Sequence, residues 1–213
     1  MAITIINPNS TASMTEAMVR TARQAAPELA FEGWTSAKGP PAIQGEADGA
    51  IATPPLLELV DEASNAGAEG IIIGCFDDTG LAQAAARANC PVIGIGQAAY
   101  HFAALQQWRF SVVTTLAVSI PVLEGNIATL GLGQHLARVR ASEVPVLALE
   151  ADPEASGQAI MAEAITAATK DEIDALILGC AGMVHVVAEV TGALDIEVID
   201  PVACAARSFS WLI

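Results

Sequence analysis

Residues 70–75 read "GIIIGC" and residues 175–180 read "ALILGC". Each is a short apolar run closed by Gly-Cys, and the two stand at an offset of 105 (180 − 75). Outward from that pair, "PVIG" (91–94) matches "EVID" (197–200) at an offset of 106 (197 − 91). Farther out, "ITIINPNS" from Ile3 resembles "FSVVTTLAVS" from Phe110 at an offset of 107 (110 − 3). Three nearly constant offsets in the same order indicate a duplicated unit.

Between the apolar runs lie Ala-rich, helix-favouring stretches at 12–26, 78–88, 117–130 and 182–191. Continuous apolar strands separated by helices are what a parallel sheet covered on both faces requires. The sequence therefore predicts an α/β fold of two pseudo-symmetric parallel-sheet halves. The first spans 1–97, with the C-terminal helix a candidate to pack on it, and the second spans 98–213; "GQAAYHFAALQQW" is the crossover. In open parallel sheets ligands bind beyond the carboxyl ends of the strands. An active site is thus expected in the cleft between the halves, with Asn7, Pro8, Asn9, Ser10 and Cys75 from one side and Thr114, Thr115 and Cys180 from the other.

Composition narrows the function. The chain is 53% hydrophobic, yet no apolar run approaches the roughly 18 residues needed to cross a bilayer. The start, "MAITIINPNS", lacks a basic region followed by a long apolar one, so it reads as the first element of the fold and the chain as cytoplasmic, not a membrane protein. A net charge of −15, with Lys38 and Lys170 the only lysines, would repel a phosphate backbone and excludes nucleic acid as a partner. The four cysteines form no C-x-x-C pair, which argues against a disulfide scaffold or a zinc site. The high apolar content fits a homo-oligomer burying surface between copies.

Free cysteine commonly behaves as a small buried hydrophobe. Cys90 and Cys204, in apolar surroundings, are read that way. Cys75 and Cys180 differ, because each follows a strand and a glycine where the next helix is expected to begin. Helix N-termini favour an anion, so the expectation is two thiols with pKa lowered from about 8.5. Asp77 and Asp78 are expected to satisfy the amides of that same helix start. Two such thiols facing one cleft suit inversion of a carbon centre, in which one group removes a proton from one face and the other returns it to the opposite face.

Other readings lack parts. A cysteine hydrolase needs a histidine base, and only His185, five residues past Cys180, is near in sequence. A metal at Cys75 with Asp77 or Asp78 has no second ligand cluster, so none is expected. "GIGQAA" (94–99) fits a dinucleotide fingerprint, but no acid stands about 20 positions on to bind a ribose. Pyridoxal phosphate would have only Lys38 or Lys170 for its Schiff base, and no cofactor is expected.

The motifs "INPNS", "GCFDDTGL", "PVIGIGQAA", the "TT" after the Phe110 strand, "LGCAGM" and "VIDPV" together resemble the aspartate/glutamate/hydantoin racemase superfamily, in its hydantoin and allantoin racemase branch. The resemblance spans nearly the whole chain. It implies cofactor-independent racemisation by Cys75 and Cys180; relatives that decarboxylate arylmalonates keep only the second cysteine. The cleft segments offer hydroxyls, amides and backbone N–H groups in place of cations, which suits a neutral cyclic ureide or imide better than a free amino acid. The N–H groups of Phe76, Ala181 and Gly182 would stabilise the enolate formed at C5 of a hydantoin. Asn7, Thr114 and Thr115 would hold the ring, as the family pattern implies. Segment 35–49 resembles the family's substrate-covering loop, with Ser36, Ile43 and Gly45 as candidate contacts. Gln97 stands where many relatives carry an acid. Allantoin racemase, an amino-acid racemase or decarboxylase of the superfamily, and a two-lobed binding protein without turnover remain alternatives.

Overall fold

The computed structural model describes residues 2–213. Strands β1 (Ile3–Asn7), β2 (Phe31–Thr35), β3 (Gly70–Ile73) and β4 (Val92–Gly94) form one parallel sheet in the order β2-β1-β3-β4. Strands β5 (Phe110–Thr114), β6 (Leu136–Ala141), β7 (Ala175–Gly179) and β8 (Glu197–Ile199) form a second in the order β6-β5-β7-β8. Each strand of the first sheet thus has its counterpart four strands later. The registers agree too, with Ile5 opposite Ile72 in one sheet and Val112 opposite Ile177 in the other. The duplicated α/β fold read from the offsets is the fold observed.

Every residue of β1, β3, β5 and β7 is buried, because helices cover both sheet faces; β-branched runs such as Ile71–Ile73 pack well on such a surface. The helices are α1 (Ala12–Ala25), α2 (Glu46–Asn65), α3 (Leu81–Arg87), α4 (Ile95–Leu105), α5 (Ile120–Thr129), α6 (Ala148–Ala151), α7 (Pro153–Lys170), α8 (Val187–Ala193) and α9 (Pro201–Leu212). Among the described residues, no helix is long and apolar enough to cross a membrane.

Helix α2 is not announced by the sequence, because Pro54 and Pro55 interrupt it. Proline inside a helix costs about 3 kcal/mol. Here Ala52, Leu56, Leu57, Val60 and Ala63 form a buried face against Ile6, Ile71 and Ile73, and that packing outweighs the local penalty.

The two halves share one continuous core. Tyr100 of α4 stacks on Phe110 of β5, with ring centroids 5.9 Å apart, and meets the edge of Phe76 at 5.4 Å. Position 97 falls inside α4, which runs from the first sheet to the second. Helix α9 starts on Pro201 after an Asp200 cap, whose carboxylate accepts the N–H groups of Val202 at 2.9 Å and Ala203 at 3.2 Å. It then packs on α1 and α4 and touches both β3 and β7. Its Phe209 ring occupies the place where a Cβ on Gly70 would stand. Cys204 packs on this core and Cys90 on the one under α2, as small apolar groups.

Candidate active site

The carboxyl ends of the central strands β1, β3, β5 and β7 open into one narrow cleft, as the topology requires. Cys75 and Cys180 both line it, together with Phe76 and Asp77 beyond β3, Thr114 and Thr115 at the end of β5, and Ala181 and Gly182 beyond β7. Ile43 closes it from the loop after β2, and Val146 from the equivalent loop after β6.

Cys75 does not begin a helix. It is followed by a turn through residues 76–80, and α3 starts only at Leu81 after left-handed Gly80. Its sulfur lies 3.4 Å from the Thr79 hydroxyl. Cys180 begins a 3-10 segment, Ala181–His185; the Met183 N–H donates to the Cys180 carbonyl at 3.0 Å, and the N–H groups of Gly182 and Met183 favour the thiolate form of its sulfur.

The expected lowering of both thiol pKa values is overturned. Both cysteines are half-buried residues on the cleft wall, and protein surrounds their thiols. Desolvation therefore dominates, pushing Cys75 well above the ordinary thiol range and Cys180 up to about 12. The Asp77 carboxylate adds to the rise at both sulfurs, while Thr79 at Cys75 and the Gly182 N–H at Cys180 oppose it. Without a ligand, both groups are neutral thiols at neutral pH.

The two aspartates also differ from expectation. The Asp78 carbonyl accepts the first amide of α3, from Leu81 at 3.1 Å, but the carboxylates turn elsewhere. Asp78, with φ 49°, turns its carboxylate onto the N–H of Gly96 in the first turn of α4, at 3.1 Å. Asp77 receives the Ser119 hydroxyl, at 3.4 Å, from the second half, and the Gly45 N–H before α2 favours its charged form. The Asp77 carbonyl accepts from Asn126 Nδ2 at 2.8 Å. Burial raises Asp77 to about 6 and Asp78 to about 8.

Asn7 is fully buried beneath the cleft. Its Nδ2 donates to Asn9 Oδ1 at 2.9 Å and its Oδ1 accepts the Asn9 N–H at 3.1 Å, so Asn9, not Asn7, reaches the cleft wall. The Thr114 hydroxyl donates to the Gly179 carbonyl at 3.1 Å, tying β5 to β7 just below Cys180. Ser36 is buried and is not among the residues of the cleft wall. Gly45 holds φ +88°, which a residue with a side chain rarely adopts, and it acts through its N–H. The sequence reading did not select Met14, Asp77 or Val146 as cleft residues. Val146 stands 103 positions (146 − 43) after Ile43, short of the 105–107 offset of the repeat, so the offsets alone do not pick it out.

None of the three histidines lines the cleft; His185 Nδ1 instead meets the Gly182 carbonyl at 2.7 Å. Among the described residues, no cluster of three or more His, Cys, Asp or Glu side chains is placed to hold a metal.

The chain is thus a two-lobed α/β protein in which each half brings one cysteine to a shared cleft. Its residues 3–209 match the family described as Asp/Glu/hydantoin racemase. A hydantoin racemase of Rhizobium meliloti is 39% identical over 210 residues, covering 97% of this chain and 86% of that protein. Among solved structures, an allantoin racemase from Klebsiella pneumoniae superposes with a TM-score of 0.91 at 35% identity, covering 99% of this chain and 86% of that one. The allantoin racemase AllR of Pseudomonas fluorescens gives 0.93 at 31% identity, covering 99% and 89%. The chain belongs to the Asp/Glu/hydantoin racemase family, and it is a racemase.

Proposed function

We propose that this racemase inverts C5 of 5-substituted hydantoins without a cofactor, passing the proton between Cys75 and Cys180. The observation that carries the proposal is the arrival of one thiol from each half of the repeat at a single cleft. The hydrogen at C5 lies beside a ring carbonyl, so its removal gives an enolate. One cysteine, as thiolate, takes that proton from one face while the other, as thiol, delivers its own to the opposite face. The roles swap for the other enantiomer, and the enzyme is left ready for it.

The raised thiol pKa values fit this chemistry. A thiolate that is costly to form is also a strong base once formed, and C5 of a hydantoin is a weak acid. The N–H groups of Phe76, Ala181 and Gly182 are the candidate donors to the enolate oxygen. Thr114, Thr115 and Asn9 are the candidate ring contacts, and Ile43 and Val146 exclude water above it.

Allantoin is the second candidate substrate, favoured by the two allantoin racemases that superpose on this chain. The test is chiral chromatography of single enantiomers of several 5-substituted hydantoins and of allantoin after incubation with the protein. The expected result is a racemic ring. Optically unchanged rings throughout would overturn the proposal, and ring-opened product would indicate hydrolysis instead.

A further inference from the structure

Among the residues lining the cleft, Asp77 is the one that bears a carboxyl group. Its carboxylate accepts the Ser119 hydroxyl, and the other group that favours its charge, the Gly45 N–H, is also neutral. The ionisable groups around it are the carboxyls of Asp48 on α2 and of neighbouring Asp78, the thiols of Cys75 and Cys180, and the phenol of Tyr100. All of these are neutral or negative. Among the described residues, no lysine, arginine or histidine pairs with Asp77.

A buried carboxylate with no cation facing it is expensive to keep. Its position on the wall beside both sulfurs gives it a consequence for binding. A ligand bringing its own carboxylate would set two like charges together where little water screens them. A neutral ring brings no such charge, and its N–H groups are donors that a carboxylate accepts well.

We propose that Asp77 determines the specificity of the cleft, excluding ligands that carry a carboxylate and admitting neutral cyclic ureides. Discrimination here comes from a built-in repulsion against the wrong ligand as much as from contacts to the right one. The inference rests on the ureide reading above for the identity of the favoured ligand.

The N-carbamoyl amino acid formed by hydrolytic opening of a hydantoin ring is the matched probe. It has nearly the same atoms, a carboxylate and no ammonium. Its carboxyl, with an ordinary pKa of about 3.3–3.7, stays ionised from pH 5 upward. Calorimetric Kd values for this anion and for the racemic hydantoin, between pH 5 and pH 8, read the discrimination independently of turnover. In the wild type, the Kd ratio of anion to hydantoin should rise at least tenfold from pH 5 to pH 8, with a midpoint near the Asp77 value of about 6. In Asp77→Asn the ratio should be low and flat across the range. A flat ratio in the wild type overturns the proposal, and this arm stands even if the variant does not fold. An Asp77→Asn ratio equal to that of the wild type at pH 8 overturns it too. Absence of turnover with normal discrimination would count against the racemisation reading and leave the role of Asp77 supported.

Discussion

The carboxylate of Asp78 accepts the N–H of Gly96 at 3.1 Å, joining the loop that carries Cys75 to the first turn of α4. This contact explains the two glycines of "GIGQAA". A Cβ on Gly94 would collide with Asp78 Oδ1, and one on Gly96 would lie 2.9 Å from Asp78 Oδ2. The pattern that resembles a dinucleotide fingerprint is a seat for a carboxylate of the same chain.

Gly94→Ala should therefore push Asp78 out of its seat and loosen the loop behind Cys75. The expected loss is about 1–3 kcal/mol of stability, the usual range for forcing an extra methyl into a packed site. Racemase kcat/KM should fall at least tenfold. Urea denaturation and polarimetry measure the two effects.

Asp78 and Asp77 also give the protein an unusual pH dependence. Burial raises them to about 8 and about 6, whereas an unfolded aspartate titrates near 3.9. Between those values the folded chain holds protons that the unfolded chain has released, so stability from these groups falls as pH rises. It is fully present below about pH 3.9, and its loss is complete near pH 6 for Asp77 and near pH 8 for Asp78. Asp78→Asn keeps an oxygen for the Gly96 N–H and removes the titration. Its unfolding free energy should exceed that of the wild type by at least about 1 kcal/mol at pH 8, with the difference shrinking toward pH 4. A difference that is constant with pH would contradict the assignment.

Gln44 spans the mouth of the cleft, its Oε1 accepting the N–H of Val146 at 2.9 Å. The bond ties the first-half loop that bears Ile43 to the second-half segment that bears Val146. Gln44→Ala should raise KM several-fold with a smaller change in kcat, because the covering groups lose their latch while the thiols stay in place. Steady-state polarimetry separates the two parameters.

The placement of β1, β3, β4, β5, β7 and β8, the duplication and the meeting of Cys75 with Cys180 were legible because they follow from the apolar runs and their offsets, whereas the half-exposed edge strands β2 and β6 carry no such run. Helix α2 was not, since Pro54-Pro55 reads locally as a break and only packing on Ile6, Ile71 and Ile73 overrides it. The state of the thiols was misread for a related reason. The sequence shows a strand-Gly-Cys unit, but not whether α-helix or turn follows, nor how completely protein surrounds the sulfur. Asn7 and Asn9 show the same limit at finer scale. Both stand at the strand end, and only the hydrogen bonds between them reveal that Asn7 supports and Asn9 faces the cleft.

The two-thiol mechanism makes unequal demands on the two faces of the substrate. Removing one sulfur leaves the other able to exchange the proton on its own face, but no acid to complete the inversion. Cys75→Ser and Cys180→Ser should each lower racemisation by at least a thousandfold. The serine hydroxyl sits several pKa units above a thiol and is a far poorer proton carrier.

The most direct measurement follows C5 deuterium incorporation and enantiomeric composition together, for each pure enantiomer of one hydantoin in deuterated water, with the wild type and both variants. The account predicts deuterated product of inverted configuration with the wild type. With a variant it predicts at most exchange with retention from one enantiomer, and the opposite enantiomer for the other variant. Racemisation at the wild-type rate by either single variant would contradict it.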